Sequence, residues 1–476
     1  MTPKKILTFA LGPIGAATLG LITIPLLTGF FSSDDIGRIA MLQIAVTFCL
    51  LFMGLGLDQA YVREYYEEKN KPELLLNTLL PGLIFLLLSL LPFLIFPQKL
   101  SLILFDMDSH AVGIITIIAL IGSFASRFLS VLLRLQERGV AFSLNSLLPK
   151  LIFMAAIIIY ITFNLEADFF KLIISHVISI IFALLILLIN TKTEWEKSIR
   201  QKIVPERIKG MLSFSLPLVL SGTAYWGLTT VDRILLRNFS SFHEMGIYSI
   251  AASFSSLATI FQGIFGLIWS PWIYKTLAEG RINIELIAKA QRKVALLVVL
   301  LFCATGAFSW LIDFILPLTY KEVKYIVVAC IGLPIFYTLS EATGVGIGIR
   351  KKSMLFMWAT FISLLISLAL NYILIPIYGA SGAAVSTCIA LWFFFFLKTE
   401  ISNKIWQKFS RIDIYLLPTT CLINASLMAL KIVSQEYIMI IWTVIFATTI
   451  FFYKKDALEI IQHIESVIKH RTKEKF

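Results

Sequence analysis

Three arginines lie along one stripe of the segment SFASRFLSVLLRLQER, residues 123–138, whose other residues are mostly small or apolar. At 100° per residue, Arg127, Arg134 and Arg138 fall within about 20° of one line that runs roughly 16 Å along a helix. A guanidinium group binds phosphate or carboxylate through a planar fork of hydrogen-bond donors. The spacing therefore predicts a row of cations suited to an anionic ligand.

A second set of polar and aromatic residues lies in another apolar segment, which begins near Met211. Tyr225 and Trp226 precede Asp232, Arg233 and Arg237 there. Helical periodicity places Tyr225 and Asp232 on one face, and Trp226 with both arginines on another. One face could line a cavity, and the alternative is a belt of aromatic and charged residues at a membrane boundary.

The composition identifies the environment of these residues. The chain has 476 residues, of which 58% are hydrophobic and only 15% are charged, with a mean hydropathy of +0.87. A soluble domain is about half apolar and a quarter charged. The sequence therefore predicts an all-α integral membrane protein with about fourteen transmembrane helices. They are expected to begin near Ile6, Ile36, Leu74, Ala111, Leu147, Phe169, Met211, Gly246, Val294, Tyr325, Met354, Ala380, Ile414 and Ile438.

Ionisable residues inside a membrane are functional candidates, because a charge at the bilayer centre costs at least about 2.5 to 3.5 kcal/mol. Arg127 is the deepest of these, and its alternative role is a structural ion pair. Arg134 and Arg138 could instead only anchor a helix end at the membrane surface. Asp58, Glu341 and His176 are candidates for coupling to a proton or Na⁺, although a lone histidine is more often a packing residue. Arg63 closes the second predicted span.

The loops predict the orientation. With alternate loops assigned to opposite sides, about 32 of the 41 Lys and Arg fall on the side of both termini, which the positive-inside rule makes cytoplasmic. The net charge of +12 then reflects topology and attraction to anionic lipids, so no nucleic-acid partner is needed.

The sequence also contains a weak internal repeat. FSS followed by glycine recurs at residues 30–54 and 238–263, at an offset of roughly 208 residues. Two parallel six-helix repeats around a central cavity are the simplest account. The predicted organisation is a bundle at 1–190, a cytoplasmic linker at 191–210, a second bundle at 211–400, two further transmembrane helices at 401–453, and a basic tail at 454–476. The tail is either an amphipathic helix on the membrane surface or a solvated segment.

Several segments resemble the polysaccharide flippases, which carry O-antigen or capsule repeat units, of the multidrug/oligosaccharidyl-lipid/polysaccharide exporter superfamily. They are GLDQAYVREYYEE (56–68), FSLPLVLSGTAYWGLTTVDRILL (214–236), MGIYSIA (245–251), SPW (270–272) and LNYILIPIYGASGAAVST (370–387). The resemblance implies a multi-pass protein of the bacterial cytoplasmic (inner) membrane, with two bundles around a V-shaped cavity. It also implies transport rather than catalysis, without a cofactor or metal.

The substrate expected from this resemblance is an undecaprenyl-pyrophosphate-linked oligosaccharide, moved between leaflets by alternating access. Membrane lipids, and a polysaccharide polymerase with glycosyltransferases, are the other expected partners. The predicted substrate-binding residues are Arg127, Arg134, Arg233, Arg237, Asp232, Arg63, Tyr225 and Trp226.

Three alternatives remain open at the level of the sequence. A cation-coupled multidrug exporter of the same superfamily would need carboxylates deep in its cavity. A membrane-embedded glycan polymerase would need acid and base groups on a loop, where Asp106, Asp108 and His110 form a weak constellation or only a solvated turn. A scaffold that transports nothing would leave the membrane-embedded Arg127 without a role.

Overall fold

The computed structural model describes residues 3–281, 283–454 and 459, and every regular element in this part of the chain is helical. The helices are α1 Pro3–Phe30, α2 Ser33–Phe52, α3 Leu57–Glu64, α4 Lys71–Ile95, α5 Pro97–Phe105, α6 His110–Leu135, α7 Gly139–Thr162, α8 Phe169–Asn190, α9 Lys192–Ile199, α10 Pro205–Phe239, α11 Phe242–Phe254, α12 Ser256–Ala278, α13 Ile284–Phe308, α14 Ile312–Ile315, α15 Val323–Cys330, α16 Gly332–Thr343, α17 Val345–Ile349, α18 Ser353–Ile405, α19 Ile412–Ala429 and α20 Gln435–Phe452. Two single 3₁₀ turns, Ser309–Leu311 and Leu318–Tyr320, flank α14.

Many of these helices are long and apolar enough to cross a membrane. Eleven segments of the described chain meet that condition, and two shorter apolar helices cover 414–429 and 436–452. Helix α18 contains a sharp kink, because Gly379 has φ 52° and ψ −127°, and it is therefore two helices in sequence. The predicted all-α, multi-pass membrane protein is confirmed. The count of fourteen and the side of the termini stay predictions.

Polar side chains begin several helices by accepting hydrogen bonds from free backbone N–H groups. Ser32 accepts from Asp35, Ser109 from Val112, and Asp168 from Lys171. Helix α7 begins at Gly139, earlier than its predicted start near Leu147. Its first turns carry polar residues that the apolar run did not include, and one of them, Ser143, donates to the carbonyl of α1 at Thr8.

The chain divides into two compact units. Unit 1 comprises Met1–Arg237 and Ser241–Ser249, and unit 2 comprises Asn238–Ser240 and Ile250–Phe476. The predicted repeat boundaries at 190 and 211 remain a prediction, because compactness does not test repeat symmetry. The predicted tail at 454–476 lies outside the described residues, apart from Lys454 and Glu459.

In unit 1, α6 is the central element. It packs against α8, α5, α2 and α4, while α1 packs along α7. Its buried face includes Phe124 and Phe128, whose ring centroids lie 5.3 Å apart. This packing fixes the rotation of α6 about its axis and thereby the direction of Arg127 and Arg134, which lie roughly 80° around the helix from the two rings.

In unit 2, α16 packs against α12, α13 and α18. Phe395 of α18 stacks on Phe336 of α16 with ring centroids 6.2 Å apart, and Phe302 of α13 packs against the same ring at 5.5 Å in a tilted arrangement. All three rings are fully buried. The aromatic layer holds α16 in register, and it therefore positions the acidic residue that follows on this helix, Glu341.

Candidate functional site

Arg127 forms an ion pair with Asp58 within unit 1. Its Nη2 lies 2.8 Å, and its Nε 3.2 Å, from the same carboxylate oxygen, Oδ2 of Asp58. The arginine side chain keeps 47% of its surface exposed, whereas that of Asp58 keeps 17%. The aspartate thus holds one edge of the guanidinium group, while Nη1 and nearly half of the side chain stay accessible.

A sharp turn before α3 brings Asp58 to this position. Leu55 and Gly56 both adopt left-handed backbone conformations, with φ of 52° and 66°. A Cβ on Gly56 would lie 2.9 Å from the backbone oxygen of Ser215 in α10, so only glycine allows this approach. The hydroxyl of Ser215 donates to the carbonyl of Leu55 at 2.8 Å and fixes the turn. Asp58 then lies in the first turn of α3.

The predicted continuous stripe is wrong for Arg138, because α6 ends at Leu135 and a turn with Glu137 at φ 58° places Arg138 at the start of α7. Arg134 and Arg138 also have different environments. Arg134 is exposed, and its side chain makes no ion pair or hydrogen bond among the described residues. Arg138 donates to the backbone oxygen of Asn190, at 2.6 Å, and to its side-chain oxygen, at 3.2 Å. It therefore caps the carboxyl end of α8. Arg138 is thus held by α8, whereas the guanidinium of Arg134 and Nη1 of Arg127 have no protein partner among the described residues.

Asp232 is the most buried acid of the predicted site, with 1% of its surface exposed. It accepts a hydrogen bond from the hydroxyl of Tyr248 and another from the backbone N–H of Arg233, at 2.7 Å. The guanidinium of Arg233 lies 5.3 Å from the ring centroid of Tyr248 and donates to the backbone oxygen of Thr229. The structure thus brings Asp232 and Arg233 together as a compact internal cluster.

Close backbone packing brings Tyr248 to this cluster. A Cβ on Gly246 would lie 1.9 Å from the backbone oxygen of Ser33, and one on Gly37 would lie 2.1 Å from that of Phe242. The two glycines therefore allow α11 to lie directly against α2. Gly246 and Tyr248 both belong to the segment that resembles the flippases.

Arg237 lies outside the Asp232 cluster and forms an ion pair with Asp106. Its Nη2 lies 2.7 Å from Oδ1 of Asp106, which caps α5 in a left-handed conformation with φ 55°. The interpretation of residues 106–110 as only a solvated turn is therefore incomplete. His110 makes one long contact with Gln98, at 3.5 Å, and no metal-binding group of three His, Cys, Asp or Glu occurs within the described part of the chain.

The predicted aromatic residues of α10, Tyr225 and Trp226, are partly buried, and Trp226 packs against α2. Trp226 donates from Nε1 to the hydroxyl of Thr47 at 3.1 Å, and its ring lies 5.6 Å from that of Phe48. Tyr225 is half-buried. Arg63 on α3 is exposed and lies over the ring of Phe214 at 4.3 Å. Of these residues, Arg63 is the one that presents a charge at the surface of unit 1.

The three residues predicted to couple transport to a proton or Na⁺ have different environments in the structure. Asp58 is engaged by Arg127, and His176 lies against the ring of Phe153 with centroids 5.5 Å apart. In unit 2, Glu341 pairs with Lys398, whose Nζ lies 2.5 Å from Oε1. The sequence analysis missed Lys398. A lone acid and a lone base on separate apolar helices are nevertheless a signal for such a pair.

A family model described as "Polysaccharide biosynthesis protein" matches residues 3–277, more than half of the chain. The chain belongs to this family. Among curated protein sequences, none matches it significantly. The match covers all of unit 1 and the start of unit 2, and therefore contains every predicted site residue except Glu341.

Solved structures share the fold of this polysaccharide biosynthesis protein. One of the lipid II flippase MurJ, in an inward closed conformation, aligns with a TM-score of 0.68 at 15% identity, covering 94% of this chain and 99% of MurJ. An inward-facing MATE multidrug resistance transporter of the MOP superfamily gives 0.55 at 14% identity, covering 82% and 94%. A mutant of the Vibrio cholerae MATE transporter VcmN gives 0.57 at 15% identity, covering 86% and 97%. The protein therefore shares the fold of these three structures.

Proposed function

We propose that the protein is a flippase that moves undecaprenyl-pyrophosphate-linked oligosaccharide repeat units across the bacterial cytoplasmic membrane during surface polysaccharide assembly. The family membership supports a role in polysaccharide biosynthesis, and the shared fold supports transport by alternating access. The identity of the substrate goes beyond what these similarities support. In this proposal, residues of unit 1 recognise its pyrophosphate group.

The observation that carries the proposal is the incomplete pairing of Arg127. This arginine belongs to α6, a helix that is long and apolar enough to span the membrane, yet nearly half of its side chain is exposed. One oxygen of Asp58 accepts hydrogen bonds from Nε and Nη2 of Arg127, so Nη1 of the arginine is left unused. A phosphate group can approach that edge and bind a guanidinium strongly, because charge-assisted hydrogen bonds are about twice as strong as neutral ones.

Asp58 gives this interaction a way to reverse. A pyrophosphate group that first binds at Nη1 can then displace Asp58 from Nε and Nη2, and when it leaves, the aspartate pairs with the arginine again. In this exchange Arg127 has an anionic partner both with and without the substrate. The proposed coupling positions are Asp58, through this exchange, together with Glu341 and His176.

Transport can be tested with the purified protein in proteoliposomes. A fluorescent undecaprenyl-pyrophosphate oligosaccharide is incorporated into both leaflets, and a membrane-impermeant reagent measures the fraction that is accessible from outside. We expect the protein to make the inner pool accessible, while a fluorescent phosphatidylethanolamine in the same vesicles stays protected. If no oligosaccharide moves but cationic drugs accumulate against a cation gradient, the protein is an exporter of the multidrug class.

A further inference from the structure

Unit 2 contains a cavity of about 440 Å³ near the turn between α17 and α18. Its volume lies within the roughly 300–1,000 Å³ typical of sites for small ligands. Helices α12, α16, α17 and both parts of α18 contribute to its wall. The polar residues that line it are Ser270, Tyr274, Glu341, Lys351, Ser353 and Lys398.

Most of these polar groups are not engaged by the protein. The hydroxyls of Ser270, Tyr274 and Ser353 and the ammonium of Lys351 make no hydrogen bond or ion pair within the described part of the chain. Other hydroxyls in these helices bond to a carbonyl one turn earlier, as Thr276 does at 3.1 Å. Tyr274, Lys351 and Ser353 are exposed and Ser270 is half-buried, so these four groups are open to a ligand that hydrogen-bonds to them in place of water.

The remaining two polar groups form the Glu341 and Lys398 pair at the cavity wall. Lys398 is 4% exposed, and its Nζ lies 4.9 to 5.6 Å from the ring centroids of Phe356, Phe394 and Tyr337. Glu341 is 26% exposed and uses only Oε1 for the lysine, so Oε2 is left as an acceptor. The pair thus presents a carboxylate oxygen to the cavity and keeps the cation in an aromatic cage.

This arrangement suits a neutral ligand better than an ion. Glu341 and Lys398 neutralise each other, so an anion would have only the exposed Lys351 to bind, and a cation only the second oxygen of a carboxylate that already has a cationic partner. A sugar hydroxyl can donate to Oε2 and also accept from Lys351 or from a neighbouring hydroxyl, without separating the buried pair. The ring of Phe356 adds an apolar surface to the same wall.

We propose that this cavity is a saccharide-binding site of unit 2. It would hold sugar residues of the glycan that the proposed function assigns to the protein, and in that respect it rests on that function. Gly348 in α17 and Gly344, which directly precedes this helix, leave space for the side chains of the cavity wall. A Cβ on Gly348 would lie 2.1 Å from the hydroxyl of Tyr274, and one on Gly344 would lie 2.8 Å from Cε of Lys398.

Binding can be measured without transport. The probe is the lipid-free oligosaccharide that mild acid releases from the lipid-linked pool of cells that natively make the protein. Saturation-transfer NMR with the purified full-length protein in detergent gives its dissociation constant. We expect Tyr274→Phe and Ser270→Ala each to raise this constant roughly two- to twelve-fold, the loss of one hydrogen bond.

The matched control is Tyr378→Phe. Tyr378 is 40% exposed, close to the 44% of Tyr274, and it lies in unit 2 outside the cavity. It should leave the dissociation constant unchanged. A third variant, Gly348→Ala, should weaken binding because its methyl group displaces the hydroxyl of Tyr274.

Three results would overturn the saccharide site. The first is that the oligosaccharide does not bind the wild-type protein, and the second is that it binds all variants equally. The third is competition by inorganic pyrophosphate, which would identify the cavity as an anion site. If the variants bind normally while proteoliposomes still translocate the lipid-linked glycan, only this inference fails. If translocation is absent while sugar binding depends on Tyr274, only the proposed function fails.

Discussion

Each unit of the molecule contains an ion pair to a residue of a long apolar helix, Arg127 of α6 in unit 1 and Lys398 of α18 in unit 2, and the two pairs are built in opposite ways. In unit 1 the cation is the accessible member, since Arg127 is 47% exposed and Asp58 17%. In unit 2 the carboxylate is the accessible member, since Glu341 is 26% exposed and Lys398 4%. The first pair therefore offers donors to a ligand, and the second offers an acceptor.

The difference also predicts what each pair contributes to stability. An exposed ion pair contributes about 0–1 kcal/mol, because water screens the charges and solvates either partner when the other is removed. Breaking a buried pair costs about 3–5 kcal/mol, because one charge stays buried without compensation. The arginine pair is thus free to exchange partners, whereas the lysine pair is a fixed part of the wall of its cavity.

The largest expected effect tests the buried pair. Glu341→Gln leaves the ammonium of Lys398 in its aromatic cage without a carboxylate, and should lower the free energy of unfolding by about 3–5 kcal/mol. Thermal unfolding in detergent, followed by tryptophan fluorescence, measures the loss.

The double variant Glu341→Gln/Lys398→Met is the control for this prediction. It removes both charges at similar volume and should recover most of the lost stability, since buried pairs can often be replaced by apolar residues. A double variant as unstable as Glu341→Gln would mean that the pair is not the cause.

A smaller loss of stability is expected when Asp232 of unit 1 loses a hydrogen bond. This variant tests whether the loss depends on the burial of the carboxylate and not on which unit contains it. Tyr248→Phe removes the hydroxyl that donates to this buried carboxylate. A hydrogen bond to a charged group contributes about 1.5–3 kcal/mol, so the free energy of unfolding should fall by that amount.

The comparison variant is Tyr66→Phe. The hydroxyl of Tyr66 donates at 3.1 Å to the neutral carbonyl of Leu135, and the side chain is 69% exposed. Its loss should cost clearly less than the loss at Tyr248. Equal costs for the two variants would contradict the role given to burial and charge.

The smallest effect on stability is expected at the exposed pair. Asp58→Asn leaves Arg127 without its carboxylate, but the arginine can turn to solvent, so unfolding should become easier by no more than about 1 kcal/mol. The same thermal measurement applies. A loss as large as that of Glu341→Gln would show that Arg127 is a buried structural cation and would remove the contrast between the units.

Much of the fold follows from the sequence, because a span of apolar residues is a local signal. The runs that begin near Ala111 and Phe169 become α6 and α8 with little change. Polar residues at a helix start weaken that signal, which explains the later start predicted for α7. The kink at Gly379 could be expected only as a break, because its conformation depends on how the two parts of α18 pack.

The individual residues of the site were predictable, but their partners were not. Arg127 stands out because a charge in an apolar helix is costly, whereas its partner lies 69 positions away on a short helix. Lys398 follows the run FFFFL and looks like an ordinary anchor at a helix end. Only the packing of α18 against α16 shows that it faces Glu341.

The most direct test of the central claim compares Arg127 of α6 with Arg138, just before α7, in the proteoliposome assay. Arg127→Ala should slow the transfer of undecaprenyl-pyrophosphate oligosaccharide about ten- to a hundred-fold, the loss of a charged hydrogen-bonded contact, and Arg127→Lys should recover part of it. Arg138→Ala should transfer at nearly the wild-type rate, since Arg138 is engaged by Asn190. Transfer by Arg127→Ala at the wild-type rate would contradict the account.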